Sequence, residues 1–240
     1  MAIASPFHNN GSAGSSLTAP GNWGTSADKD VIFLSLCLSG ATTLSATMSA
    51  TGWNLILDET RGTTSTDKIR TYVWWKRVTG VESAPAFSSI TGYRFFVQTF
   101  CSGCVETGDP YEWAVDGGVD AATTSLSITT ADTTYSDALI LYHLSTERSQ
   151  STAWFGPPSN SSLTDIPSVD PYDACVTGGS GIGRAITYGT KSTAGSTGTL
   201  TSTISSSIYI YAAFAVLSTT STTGAAGTNN GKRSLLGVGK

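Results

Sequence analysis

The sequence predicts an all-β protein: a two-sheet, jelly-roll-like β-sandwich with extended N- and C-terminal arms. Three observations predict it. Eight short apolar segments follow one another, separated by turn clusters such as "RGTTSTD" and "FGPPSNSS". No stretch carries the periodicity of an amphipathic helix. Ser and Thr make up about 30% of the 240 residues, beside 26 Gly, a strand- and turn-forming composition.

Taken in order, residues 1–29 are rich in Gly, Ser, Asn and Pro and read as an extended arm, with Trp23 as its anchor. The sandwich domain spans 30–217. Its strands are "DVIFLSLCL" (30–38), "WNLILDE" (53–59), "IRTYVWWKRV" (69–78) and "YRFFVQTFC" (93–101). "LSITT" (126–130), "DALILYHLS" (137–145), "GRAITYGT" (183–190) and "SIYIYAAFAVLS" (207–218) follow. In the first strand Ile32, Leu34, Leu36 and Leu38 share one face, and Val31, Phe33, Ser35 and Cys37 the other. In the last, Tyr209, Tyr211 and Ala213 oppose Ile208, Ile210 and Ala212. Apolar residues on both faces predict central strands covered on both sides. Residues 218–240 form a low-complexity tail. It ends in a basic-apolar tip, Lys232, Arg233, Leu235, Leu236 and Lys240, which is either unstructured or a docking peptide.

Composition narrows the function. Only 12% of residues are charged and the net charge is −4, against the basic excess of a nucleic-acid binder. No apolar run reaches the length of a membrane span, and the N-terminus lacks the basic start and apolar core of a signal peptide. The four cysteines fit a protein made in the cytosol rather than a disulfide scaffold.

Candidate chemistry is sparse. "TGGSGIG" (177–183) resembles a dinucleotide loop, but it is one residue short and a strand follows it instead of a helix. "CSGC" (101–104) has the spacing of a redox or zinc half-site, but Cys37 and Cys175 are isolated as further zinc ligands and "VETGDPYEW" offers no helix to lower a thiol pKa, so the pair reads as strand-end cysteines, free or locally bridged. "ETGDPYEWAVDGGVD" (106–120) reads as a solvated acidic loop, with Asp109, Glu112 and Asp116 as weak metal candidates or a carboxylate pair. Ser180 lies outside any nucleophile motif and only His8 and His143 could act as base. The expectation is no enzyme and no cofactor. Trp74 and Trp75 must point to opposite faces of their strand. Either one of them anchors a partner at a sheet-edge loop or subunit contact, or the two sheets and their loops cover both.

The order of segments resembles a known family. "GWNLILDE", "IRTYVWWKRVTGVES", "YRFFVQTFCSGCVETGDPYE" and "DALILYHLS" together resemble a β-sandwich domain of virion proteins of tailed bacteriophages, of the head-decoration or tail-associated kind. The elements that carry the resemblance are Gly52–Leu55, Tyr72–Glu82, Phe95–Pro110 and Ala138–Leu141, and the match covers about 30–217. The CxxC arrangement and the two long tails depart from the pattern. The resemblance implies a particle-bound sandwich with no catalytic residues: a capsid decoration (cement) protein that stabilises the shell, assembled in the host cytoplasm. Its partners would be the major capsid protein or another virion protein, and further copies of itself, with a trimer favoured. The alternative is a tail-fibre or receptor-binding module that recognises a surface glycan through exposed aromatics. The absence of long repeats or coiled-coil shafts in the sequence favours decoration.

Overall fold

The computed structural model describes residues 7–10, 31–64, 67–78, 85, 87–88, 90–147, 155–166, 172–176 and 182–218. Twelve strands run in chain order: β1 (Phe7–Asn10), β2 (Val31–Ser39), β3 (Thr47–Met48), β4 (Asn54–Arg61), β5 (Ile69–Arg77) and β6 (Phe87–Ser88) come first. They are followed by β7 (Tyr93–Cys101), β8 (Tyr111–Thr129), β9 (Ala138–Thr146), β10 (Tyr172–Val176), β11 (Ile182–Lys191) and β12 (Thr199–Val216). No helix occurs among the described residues. One sheet has the order β1-β7-β2-β5-β4, the other β10-β11-β9-β12-β8, and β3 pairs with β6. Every pairing is antiparallel. This is the all-β, two-sheet sandwich that the sequence predicts. A jelly roll shares the pair of packed antiparallel sheets but passes its chain back and forth between them. Here all five strands of the first sheet lie before Asp109 and all five strands of the second begin at Tyr111 or later.

The central strands of both sheets are buried on both faces, which explains the doubly apolar segments. Between the sheets, Val31, Phe33, Val73, Trp75 and Val97 meet Leu139, Leu141, Ile186, Ile210 and Phe214. On the outer face of the first sheet, Ile32, Leu34, Leu36, Leu38, Tyr72 and Trp74 form a second core beneath Leu44, Met48, Trp53 and Phe87. Arg70 holds that cover down: it grips Asp58 through two bonds of 2.7 and 2.8 Å and donates to the Leu44 carbonyl at 2.7 Å. On the outer face of the second sheet, Ile140, Tyr142, Leu144 and Ala213 pack under Phe155 and Leu163. The 155–166 segment is tied down by bridges from Phe155 to Ile204, Ser159 to Thr201 and Thr164 to Thr190.

The long β8–β12 ribbon departs most from expectation. The stretch read as an acidic loop becomes strand from Tyr111 onward. Glycine permits it: a Cβ on Gly118 would lie 2.2 Å from the Tyr209 carbonyl oxygen, so only glycine admits the close pairing with β12. Phe7–Asn10, inside the expected arm, pairs with Val97–Phe100 as an edge strand.

Burial in the outer core of the second sheet pushes the Tyr142 phenol up to about 12. An unfolded tyrosine ionises near pH 10. Between about pH 10 and 12 the unfolded chain therefore sheds a proton that the folded one keeps, so stability must fall as pH rises through that window. Urea melts at pH 9 and 11 should show a loss larger by about 1 kcal/mol in the parent than in Tyr142→Phe.

Candidate functional site

Two polar clusters link the sheets: one at the centre of the inter-sheet layer and one at the seam where β4 meets β8. The first is the more unusual. Ser35 and Cys37 on β2, Thr71 on β5 and Thr99 on β7 face His143 and Ser145 on β9 and Arg184 on β11, all essentially without solvent access. Strand alternation puts them there, because each occupies an inward slot between apolar neighbours: Arg184 lies between Ile182 and Ile186. The Arg184 guanidinium donates to Ser145 Oγ at 2.7 Å and to Ser35 Oγ from its other Nη. Thr71 Oγ1 donates to Ser145 Oγ at 3.1 Å, and Thr99 Oγ1 lies 3.4 Å from His143 Nε2. Burial pushes the Cys37 thiol up against the lowering influence of Arg184, so it stays a neutral thiol. A fork-shaped donor between two hydroxyls holds two sheets together. It offers a substrate no approach, since the groups are enclosed.

At the seam, Arg61 reaches Glu59 at 2.7 Å and Asp120 at 3.5 Å, and the Gly62 amide donates to Asp120 at 3.1 Å. Burial raises the Glu59 carboxyl above its usual range. Arg61 opposes that shift, and the charges of Asp116 and Asp120 add to it. These contacts join the edge of one sheet to the edge of the other.

The predicted site residues fall out as follows. Trp74 lies in the outer core of the first sheet, stacked on Tyr72 at 5.2 Å with Phe87 against its edge at 5.6 Å. Trp75 lies between the sheets, edge-on to Tyr111 at 6.5 Å. Alternation does send them to opposite faces, but each face has its own cover. Only 4% and 8% of their surfaces reach solvent, so neither is an exposed anchor. Trp23, Lys232, Arg233, Leu235 and Leu236 lie outside the described residues. Asp109 is exposed in the β7–β8 connection. Glu112 is occupied: its carboxylate accepts from the Thr133 hydroxyl at 2.5 Å, from the Thr134 amide at 2.9 Å and from the Thr134 hydroxyl. Asp116 sits on β8, in the strand rather than in a loop. Among the described residues, no group of three or more His, Cys, Asp or Glu is placed to hold a metal ion. Cys101 and Cys104 are buried and form no disulfide, and Cys104 donates weakly to the Cys101 carbonyl at 3.4 Å. No motif marks Arg184; its sequence signal is an arginine on the same strand face as two isoleucines.

No family model matches the chain, and neither does any curated protein or solved structure.

Proposed function

We propose that this chain is a non-enzymatic structural protein of a virion, a capsid decoration (cement) protein that reinforces the shell. The observation that carries the reading is the closure of both faces of the central strands of both sheets by the chain's own segments. In such a body the buried polar centre, Arg184 with Ser145 and Ser35, is occupied in holding the two sheets together. Contact with partners then falls to strand edges, loop ends and the terminal segments. Leu55 on the edge strand β4 is 54% exposed, the one large exposed hydrophobic side chain among the described residues. It joins Trp23, Lys232, Arg233, Leu235 and Leu236 as a proposed contact, in place of the buried Trp74 and Trp75. The proposed partners are the major capsid protein and further copies of this chain, as a trimer.

The test is the copy number of the protein in purified particles, by quantitative mass spectrometry against the major shell protein. A number comparable with the shell protein supports decoration. A small fraction of it replaces decoration with a tail component, and absence from the particles ends the virion reading.

A further inference from the structure

Written from one edge to the other, the first sheet is β1-β7-β2-β5-β4 and the second is β8-β12-β9-β11-β10. In chain order the strands of the first, leaving aside the two-residue β3 and β6, are β1, β2, β4, β5 and β7. Those of the second are β8, β9, β10, β11 and β12. The two lists match position for position. A simple meander would recur by default, since consecutive strands usually pair. This order is not one: in each half the second strand lies in the middle, between the fourth and the fifth. The match extends to detail. The two central strands, β2 and β9, are each nine residues long and buried at every position. Each is followed, before the next strand of its sheet, by the segment that covers that sheet's outer face: Leu44, Met48 and Trp53 in one half, Phe155, Leu163 and Ile166 in the other.

Contacts across the middle give the operation that relates the halves. Phe33 on β2 stacks at 5.4 Å on Phe214, which lies opposite Leu141 of β9. Four residues further along β2, Cys37 lies opposite Thr71, which bonds Ser145, four residues beyond Leu141. So β2 and β9 run in the same direction, one above the other. The rotation that exchanges the sheets therefore turns about an axis along the strands, between β2 and β9. The segments that follow the equivalent strands β7 and β12 meet at one end of the sandwich, through an antiparallel bridge from Cys104 to Ser218 and a 3.0 Å bond from the Val105 amide to the Leu217 carbonyl. Segments exchanged by such an axis pair in this way. Thr71, opposite Cys37, and Arg184, opposite Ser145, then occupy equivalent positions. The buried polar centre lies on the axis.

We infer that the chain is one five-strand unit repeated in tandem, its two copies packed face to face about an internal dyad. The inter-sheet face is thus a self-complementary interface, and the partner it fits is a second unit of the same kind. Joining the copies in one chain let the two faces diverge. Arg184 in one copy meets Ser35 in the other, and Thr71 stands where a second arginine would crowd it.

Two measurements test this. In a crystal structure, superposing the five strands of one half on the other should require a rotation near 180° about the strand direction. A rotation far from 180°, or a slide along the axis of more than one residue (about 3.3 Å), overturns the inference. In solution, a circular permutant of the full chain that begins at Asp109 and ends at Gly108 exchanges the order of the units, with residues 219–240 and 1–6 as the connection. It should elute as the parent does and melt within about 4 °C of it. A second permutant with added Gly-Ser residues between Lys240 and Met1 relieves any strain in that connection. If both fail to fold or melt more than about 4 °C lower, the halves are not separable units and the inference falls.

Discussion

Phe214→Ala is expected to cost about 3–5 kcal/mol of folding stability. The ring is fully enclosed between the sheets, where it stacks on Phe33 at 5.4 Å. Tyr111 at 6.2 Å and His143 at 5.7 Å meet it edge-on. Truncation removes the apolar transfer term and the aromatic pairs together, and leaves a void that three rings bound. Two rigid sheets cannot close on such a void by moving a single side chain, which places the cost in the upper part of the range. Denaturant unfolding measures it; a loss below about 1 kcal/mol would mean that the inter-sheet layer is far looser than its packing. Phe214→Leu, which refills most of the space, should recover about half of the loss.

Arg184→Ala should be the second most damaging change, at about 3 kcal/mol. It empties the largest fully enclosed side chain among the described residues and removes the donor shared by Ser145 and Ser35. Arg184→Lys keeps the charge and loses the fork. One ammonium cannot span two hydroxyls in the same geometry, so a loss of about 1 kcal/mol is expected. Stability curves for the two variants separate the contributions of shape and of donor geometry. If Arg184→Ala costs no more than about 0.5 kcal/mol, as surface changes do, the polar centre is not structural. The same residue settles strand register. A one-residue slip of β2 would trade Val31 and Phe33 for Ile32 and Leu34, apolar for apolar, so hydrophobicity hardly distinguishes the two. The slip would also carry Ser35 away from Arg184, and there the two registers differ.

The same double burial explains what could be read from the sequence and what could not. Apolar runs such as "VIFLSLCLS" and "ALILYHLST" are legible as central strands because both of their faces are apolar. The first half of β8 reads as a loop because Glu112, Asp116, Asp120 and two adjacent glycines are poor strand formers. They are tolerated there because β8 is an edge strand, where Arg61, Thr133 and Thr134 reach the carboxylates. Strand β10, "YDACV", does not stand out because its Asp and Ala are poor strand formers. Trp74 and Trp75 show how far alternation reaches: it assigns them to opposite faces, but no local pattern says that residues 41–53 fold back over the outer one. The duplication leaves no repeat to detect, since the matched strands share only an apolar alternation that many unrelated strands share.

That each sheet comes from one uninterrupted half of the chain has a consequence for synthesis. When Cys101 leaves the ribosome, every strand of the first sheet exists, but the side chains that cover its inner face, Ile186, Ile210 and Phe214 among them, have not been made. At about 5–20 residues per second, the second sheet takes roughly 5–20 s to follow. Throughout that interval the nascent first half presents Phe33, Val73, Trp75 and Val97 to solvent, and it must either be shielded by a chaperone or wait, unpaired, for its own second half.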